Sequence, residues 1–118
     1  MENSPSKILW IKLTEDRFLI LRDYLEDKYI WTHVFVKENE EETYIGFYGN
    51  SQYKKMKKIM NEYIEYDNNY VAFCCKGKFS RGKEFIKYIY DMNSKEYLEY
   101  DKYSEFKEKY IKTLAKHQ

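Results

Sequence analysis

The 118 residues suffice for one domain built around a single core. The 21 Lys and Arg nearly cancel the 20 Asp and Glu, for a net charge of +1. That balance excludes a strongly basic, histone-like binder, so any nucleic-acid surface must come from local clustering. The composition stands out for 14 Tyr and 7 Phe beside 4 Gly and 1 Pro; tyrosine's apolar ring and polar tip suit a core margin or a stacking surface.

Taken in chain order, residues 1–6 are polar and carry Pro5, and are expected to fray at the start of a single domain, 1–118, with its core at 7–92. Lys7 to Leu13 reads as a buried strand with Leu9, Ile11 and Leu13 on one face. Thr14 suits an N-cap, with Glu15 and Asp16 in the first turn. Phe18, Leu21, Leu25 and Tyr29 follow at helical spacing, which predicts a helix to about Lys28. Ile30 to Lys37 is β-branched and aromatic and reads as a strand; the acidic stretch Glu38 to Glu42 is its turn, and Thr43 to Gly49 returns as the second arm of a hairpin.

Ser51 can cap a second helix, lined by Met56, Ile59, Met60 and Tyr63, with Lys54, Lys55, Lys57 and Lys58 mostly on its solvated side. Asp67-Asn68-Asn69 turns the chain into a strand, Tyr70 to Cys75, followed by a basic loop. A third helix is expected from Lys83 to Met92 through Phe85 and Ile89, then a short edge strand within Lys95 to Tyr100. A last amphipathic helix is expected at Ser104 to Lys116, within a C-terminal helical extension at 101–116. The order β-α-β-β-α-β with additional C-terminal helices predicts an α+β, ferredoxin-like fold, an antiparallel sheet with helices on one face.

Residues for chemistry are sparse. Cys74 and Cys75 are adjacent, so in a strand they point to opposite faces and read as reduced core thiols. His33 with Glu38 or Glu42 is the one constellation that could ligate a metal, and a lone strand histidine is more often structural, so neither metal nor cofactor is expected. Lys76, Lys78, Arg81 and Lys83, with Phe79 among them, can neutralise phosphates and stack on a base. Trp10, Tyr44 and Tyr48 could extend that surface across a sheet face. Residues 1–5 lack signal-peptide features and no apolar run reaches membrane-spanning length, so the expected location is the cytoplasm or the interior of an infected host cell.

Three segments resemble the N-terminal domain of rolling-circle replication initiators, the Rep proteins of the HUH endonuclease superfamily. They are the opening strand Ile8 to Thr14, the arm Thr43-Tyr44-Ile45-Gly46-Phe47, and the segment Lys83 to Ile89. The resemblance implies Tyr88 as a nucleophile on a DNA phosphodiester, with Phe85 aligning equally well, and a divalent metal only if a nuclease persists. Thr43 and Ile45 stand where that family has histidine ligands, and Asp91 where it has lysine, so a degenerate site is implied. The order also resembles an RNA-recognition motif, with Trp10, Tyr44, Phe47 and Tyr48 on the corresponding strands.

The functional expectation is therefore a single-stranded nucleic-acid-binding domain of a virus or mobile element. A protein-interaction module that regulates a host or viral protein is the alternative, and a residual tyrosine nickase the second alternative.

Overall fold

The computed structural model describes residues 4–26, 29–51, 61–76 and 84–98. Every regular element among them is a β-strand: β1 (Lys7–Lys12), β2 (Arg17–Glu26), β3 (Tyr29–Glu38), β4 (Glu41–Ser51), β5 (Asn61–Tyr66), β6 (Tyr70–Lys76), β7 (Glu84–Asp91) and β8 (Glu96–Tyr97). They form one antiparallel meander in which each strand bonds to its sequence neighbours. The joint between β4 and β5 rests on the facing pair Asn50 and Asn61. The sheet therefore divides there into two four-stranded layers, β1–β4 and β5–β8.

The main core lies between the layers. Leu19, Val34, Val36 and Ile45 from the first meet Val71, Phe73, Tyr90 and Met92 from the second. Burying a side chain of this size contributes about 1.5–3 kcal/mol. Arg17, itself buried, ties one end of the layers together. Its Nη1 donates to the Asn68 carbonyl (2.7 Å), and its Nη2 donates to the Glu38 carboxylate (3.2 Å) and to Asn93 Oδ1 (2.9 Å). Strand β3 and the turns after β5 and β7 thus converge on one guanidinium.

The expected α+β, ferredoxin-like fold is overturned. The segment predicted as the first helix is β2, an interior strand with Leu19 and Ile20 both fully buried. Ile20, on the outward side, is covered by the rings of neighbouring strands, and a near-continuous apolar run always contains a helically spaced subset. Thr14 does bond the Asp16 amide through its hydroxyl (3.3 Å), but within a hairpin turn closed between Thr14 and Arg17.

The third predicted helix is β7. Opposite Phe73 and Cys74 stand Tyr88 and Ile86, which leaves Lys87 as an extra residue. The bulge shifts the alternation, so Ile86 and Ile89, three apart, pack in the same cluster. A spacing of three then imitates a helix.

Of the second predicted helix, residues 52–60 lie outside the described residues, and Tyr63 belongs to β5. The predicted C-terminal helix, 104–116, also lies outside them. The predicted strands at 7–13, 30–37, 43–49 and 70–75 are present as β1, β3, β4 and β6, and β8 falls inside the predicted edge segment. Cys74 and Cys75 are both buried. Among the described residues no helix is long and apolar enough to cross a membrane.

Candidate functional site

Antiparallel register decides which side chains share the outward face of the first layer. The pairs Trp10–Ile20–Phe35–Tyr44, Arg22–His33–Phe47, Tyr24–Trp31–Gly49 and Phe18–Lys37–Glu42 run across β1 to β4. The opposite face carries Leu19, Val34, Val36 and Ile45, which fill the core. The outward face is therefore a field of aromatic rings over four strands.

The rings touch one another. Trp10 meets Phe18 edge-on at 6.0 Å, Tyr24 meets His33 at 5.2 Å, and Trp31 meets Phe47 at 5.8 Å. His33 lies 5.6 Å from Tyr44 and 5.8 Å from Phe47, while Phe35 lies 5.3 Å from Tyr44. His33 Nδ1 and the Tyr44 hydroxyl share a hydrogen bond of 3.1 Å. Ile20 faces the same way and is fully buried, set between Trp10 and Phe35. Trp10, Tyr44 and Phe47 stay about half exposed, at 50%, 49% and 50%.

Two local devices shape the face. Ile45 is the extra residue of a bulge in β4, so Tyr44 and Phe47, three apart, both point outward. Gly49 lies opposite Trp31, and a Cβ there would stand 2.8 Å from the indole. The missing side chain lets the ring lie over the strand.

Two of the three cations on this face are paired with acids. The Arg22 guanidinium lies 4.4 Å over the Phe35 ring and bonds Glu42 at 2.5 Å. Lys37 lies over Trp10 at 5.2 Å and stands opposite Glu42 in register. Lys12 pairs with Glu15 at 3.2 Å. Burial pushes the Tyr44 phenol above its ordinary pKa.

Trp10 and Tyr44 thus share one surface. Tyr48 does not: it packs on the core side, beside the Thr32 hydroxyl, which donates to Asp23 at 2.7 Å. Burial raises its phenol pKa while the bond to Thr32 lowers it. Lys76 ends β6, and Lys78, Phe79, Arg81 and Lys83 lie outside the described residues. Sequence reading missed Phe18, Tyr24, Trp31 and Phe35 as members of the outward face; alternation through β3 was the available signal, and the helix assigned to β2 hid its neighbours.

Tyr88 sits at the other rim of β4. It stacks on Phe73 at 4.4 Å and meets Tyr97 edge-on at 5.5 Å. Gly46 (φ 149°) makes room for it, since a Cβ there would be 2.5 Å from the Tyr88 hydroxyl and 3.0 Å from Phe73. Burial, then the neighbouring Tyr97, Tyr44 and Glu62, push its phenol up to about 12, against a bond from the Phe47 backbone. The Tyr97 hydroxyl donates to the Ile45 carbonyl. A cleft of about 360 Å³ opens between these tyrosines and Tyr44, Ile45, Gly46 and Phe47. A phenol this hard to ionise is a poor nucleophile near neutral pH. Ile45 belongs to the core, and no group of three metal-ligating side chains occurs among the described residues.

Comparison with protein-family models, curated proteins and solved structures returns no match to this chain.

Proposed function

We propose that the chain is a protein-interaction module that receives its partner on the outward aromatic face of β1–β4. One observation carries the reading: a contiguous ring surface on which two of the three cations are paired with acids. Contiguous exposed apolar surface marks interaction sites. Trp, Tyr, Phe and Arg are the residues enriched at protein interfaces, and charge is depleted from their centres.

Nucleic acid would draw much of its affinity from cations free to meet phosphate. On this face Arg22 is held by Glu42, Lys12 by Glu15, and Lys37 rests on Trp10. The half-exposed Trp10 and Tyr44 favour single-stranded nucleic acid as the second reading, because bases stack on such rings.

The test compares the tagged wild-type chain with a Tyr44→Ser, Phe47→Ser double variant, both purified from the native cellular background. One stoichiometric protein partner, lost from the variant and free of nucleic acid, is the expected result. Salt-dependent quenching of tryptophan fluorescence by a single-stranded oligonucleotide, without a protein partner, would transfer the face to the second reading. Equal partner capture by both chains would remove the face from either role.

A further inference from the structure

We propose that the free edge of β1 pairs with β1 of a second copy, in a two-fold antiparallel ladder centred on Trp10. The inference does not depend on what docks on the aromatic face.

Backbone direction comes first. In an interior strand, successive residues turn their N–H and C=O groups to alternate neighbours. The Asn39 amide donates to the Asp16 carbonyl (3.2 Å) and the Leu13 amide to the Arg17 carbonyl (2.9 Å). Even-numbered residues of β2 therefore address β3, and odd-numbered ones address β1. With Leu9 opposite Leu21 and Ile11 opposite Leu19, the groups of Lys7, Leu9 and Ile11 are committed to β2. Those of Ile8, Trp10 and Lys12 point to the open edge. Among the described residues β2 is the only strand beside β1.

Exposure gives the second observation. Ile8, Leu9 and Trp10 are 49%, 45% and 50% exposed, although alternate residues lie on opposite faces. Among the described residues nothing pairs with the rim, and side chains on both of its faces stay about half exposed. Between Ile8 and Ile11 it carries no charge, proline or bulge, the devices by which edge strands avoid pairing.

Two-fold symmetry then selects the register. Trp10 facing its own mate sets Ile8 opposite Lys12 of the second copy, so each of three outward pairs can exchange two backbone bonds. Shifting the centre to Leu9 brings in Ser6, whose amide already bonds the Asp23 carbonyl at 2.8 Å. Shifting it to Ile11 brings in Thr14, whose amide is held by Arg17 at 3.2 Å. The arrangement that would set Lys7 against Lys12 turns the bonding groups the wrong way. In the selected register Lys7 faces Leu13, and Leu9 faces Ile11 on the inner side. The two aromatic faces then join at a Trp10 seam. A second copy satisfies the edge without bringing like charges together.

Cross-linking and sedimentation test this on the full chain. Facing bonded residues have Cα atoms about 5.5 Å apart, within disulfide reach, whereas Ile8 would sit about 13 Å from its own mate. Mild oxidation should lock Trp10→Cys into a covalent dimer and leave Ile8→Cys monomeric; Cys74 and Cys75 are buried and do not compete. Wild-type chain should show a concentration-dependent dimer. Ile8→Pro removes an outward N–H at no cost to the bonds with β2 and should weaken that dimer about ten-fold or more. A wild-type monomer at every concentration overturns the proposal. So does equal cross-linking of the two cysteine variants, or a dimer that neither traps at position 10 nor responds to Ile8→Pro. If Ile8→Pro fails to fold, the cysteine pair decides alone.

Discussion

Outward positions of β2 and β3 carry Phe18, Ile20, Tyr24, Trp31, His33 and Phe35, whereas β6 and β7 group Ala72, Cys74, Ile86 and Ile89 away from the main core. The first set leaves half-exposed rings around its margin. The second is buried, with Tyr63, Tyr70 and Leu98 packed against it. Both layers donate one face to the shared core, so the contrast lies wholly in the other face. Small aliphatic groups that exclude water serve stability, whereas large rings left in water serve contact with something else.

Substitutions on the buried face should have the largest effect on folding. Ile89→Ala should cost about 2–5 kcal/mol, measured by denaturant unfolding. If it costs less than Phe47→Ala, the assignment of roles to the faces is reversed. Gly46→Ala comes next: the added Cβ meets Tyr88 and Phe73, and the backbone there disfavours a side chain. About 1–3 kcal/mol should be lost, with the near-ultraviolet tyrosine signal disturbed. Arg17→Met removes the clamp between the layers and should cost about 1–3 kcal/mol, read as a lower unfolding midpoint.

On the aromatic face, Tyr44→Ser with Phe47→Ser should change stability by no more than about 1 kcal/mol while abolishing partner capture. The last effect concerns pH. The folded chain holds the Tyr88 proton up to about 12, but the unfolded chain releases it near the ordinary phenol value of 10.0. Between these values the folded state binds more protons, so stability falls as pH rises and is unaffected below that window. Tyr88→Phe should make that alkaline limb shallower in a pH series of unfolding curves.

The strands of the β3–β4 hairpin were legible from sequence because β3 is β-branched and aromatic and its turn is acidic. Arg17 was silent: nothing local shows that one cation will meet Glu38, Asn68 and Asn93. Strands β2 and β7 were misread for different reasons. In β2 the outward face is itself apolar through Phe18, Ile20 and Tyr24, which erases alternation, while in β7 the extra Lys87 converts a spacing of two into three. The site was half legible. Trp10 and Tyr44 were identified as sheet-face aromatics, but Tyr48 points inward because the β4 bulge resets which residues face out. Phe18 and Tyr24 join the face only because β2 is a strand, which the helical spacing of Phe18, Leu21 and Leu25 conceals.

Both tryptophans of the chain, Trp10 and Trp31, lie on the aromatic face. Acrylamide quenching of intrinsic fluorescence, compared at one chain concentration between the isolated chain and its purified complex with a non-fluorescent partner, therefore reads that surface. A clear loss of quenching in the complex, absent when Tyr44 and Phe47 are replaced by Ser, is the predicted result. A stoichiometric complex whose tryptophans remain as accessible as before would place the partner elsewhere and contradict the account.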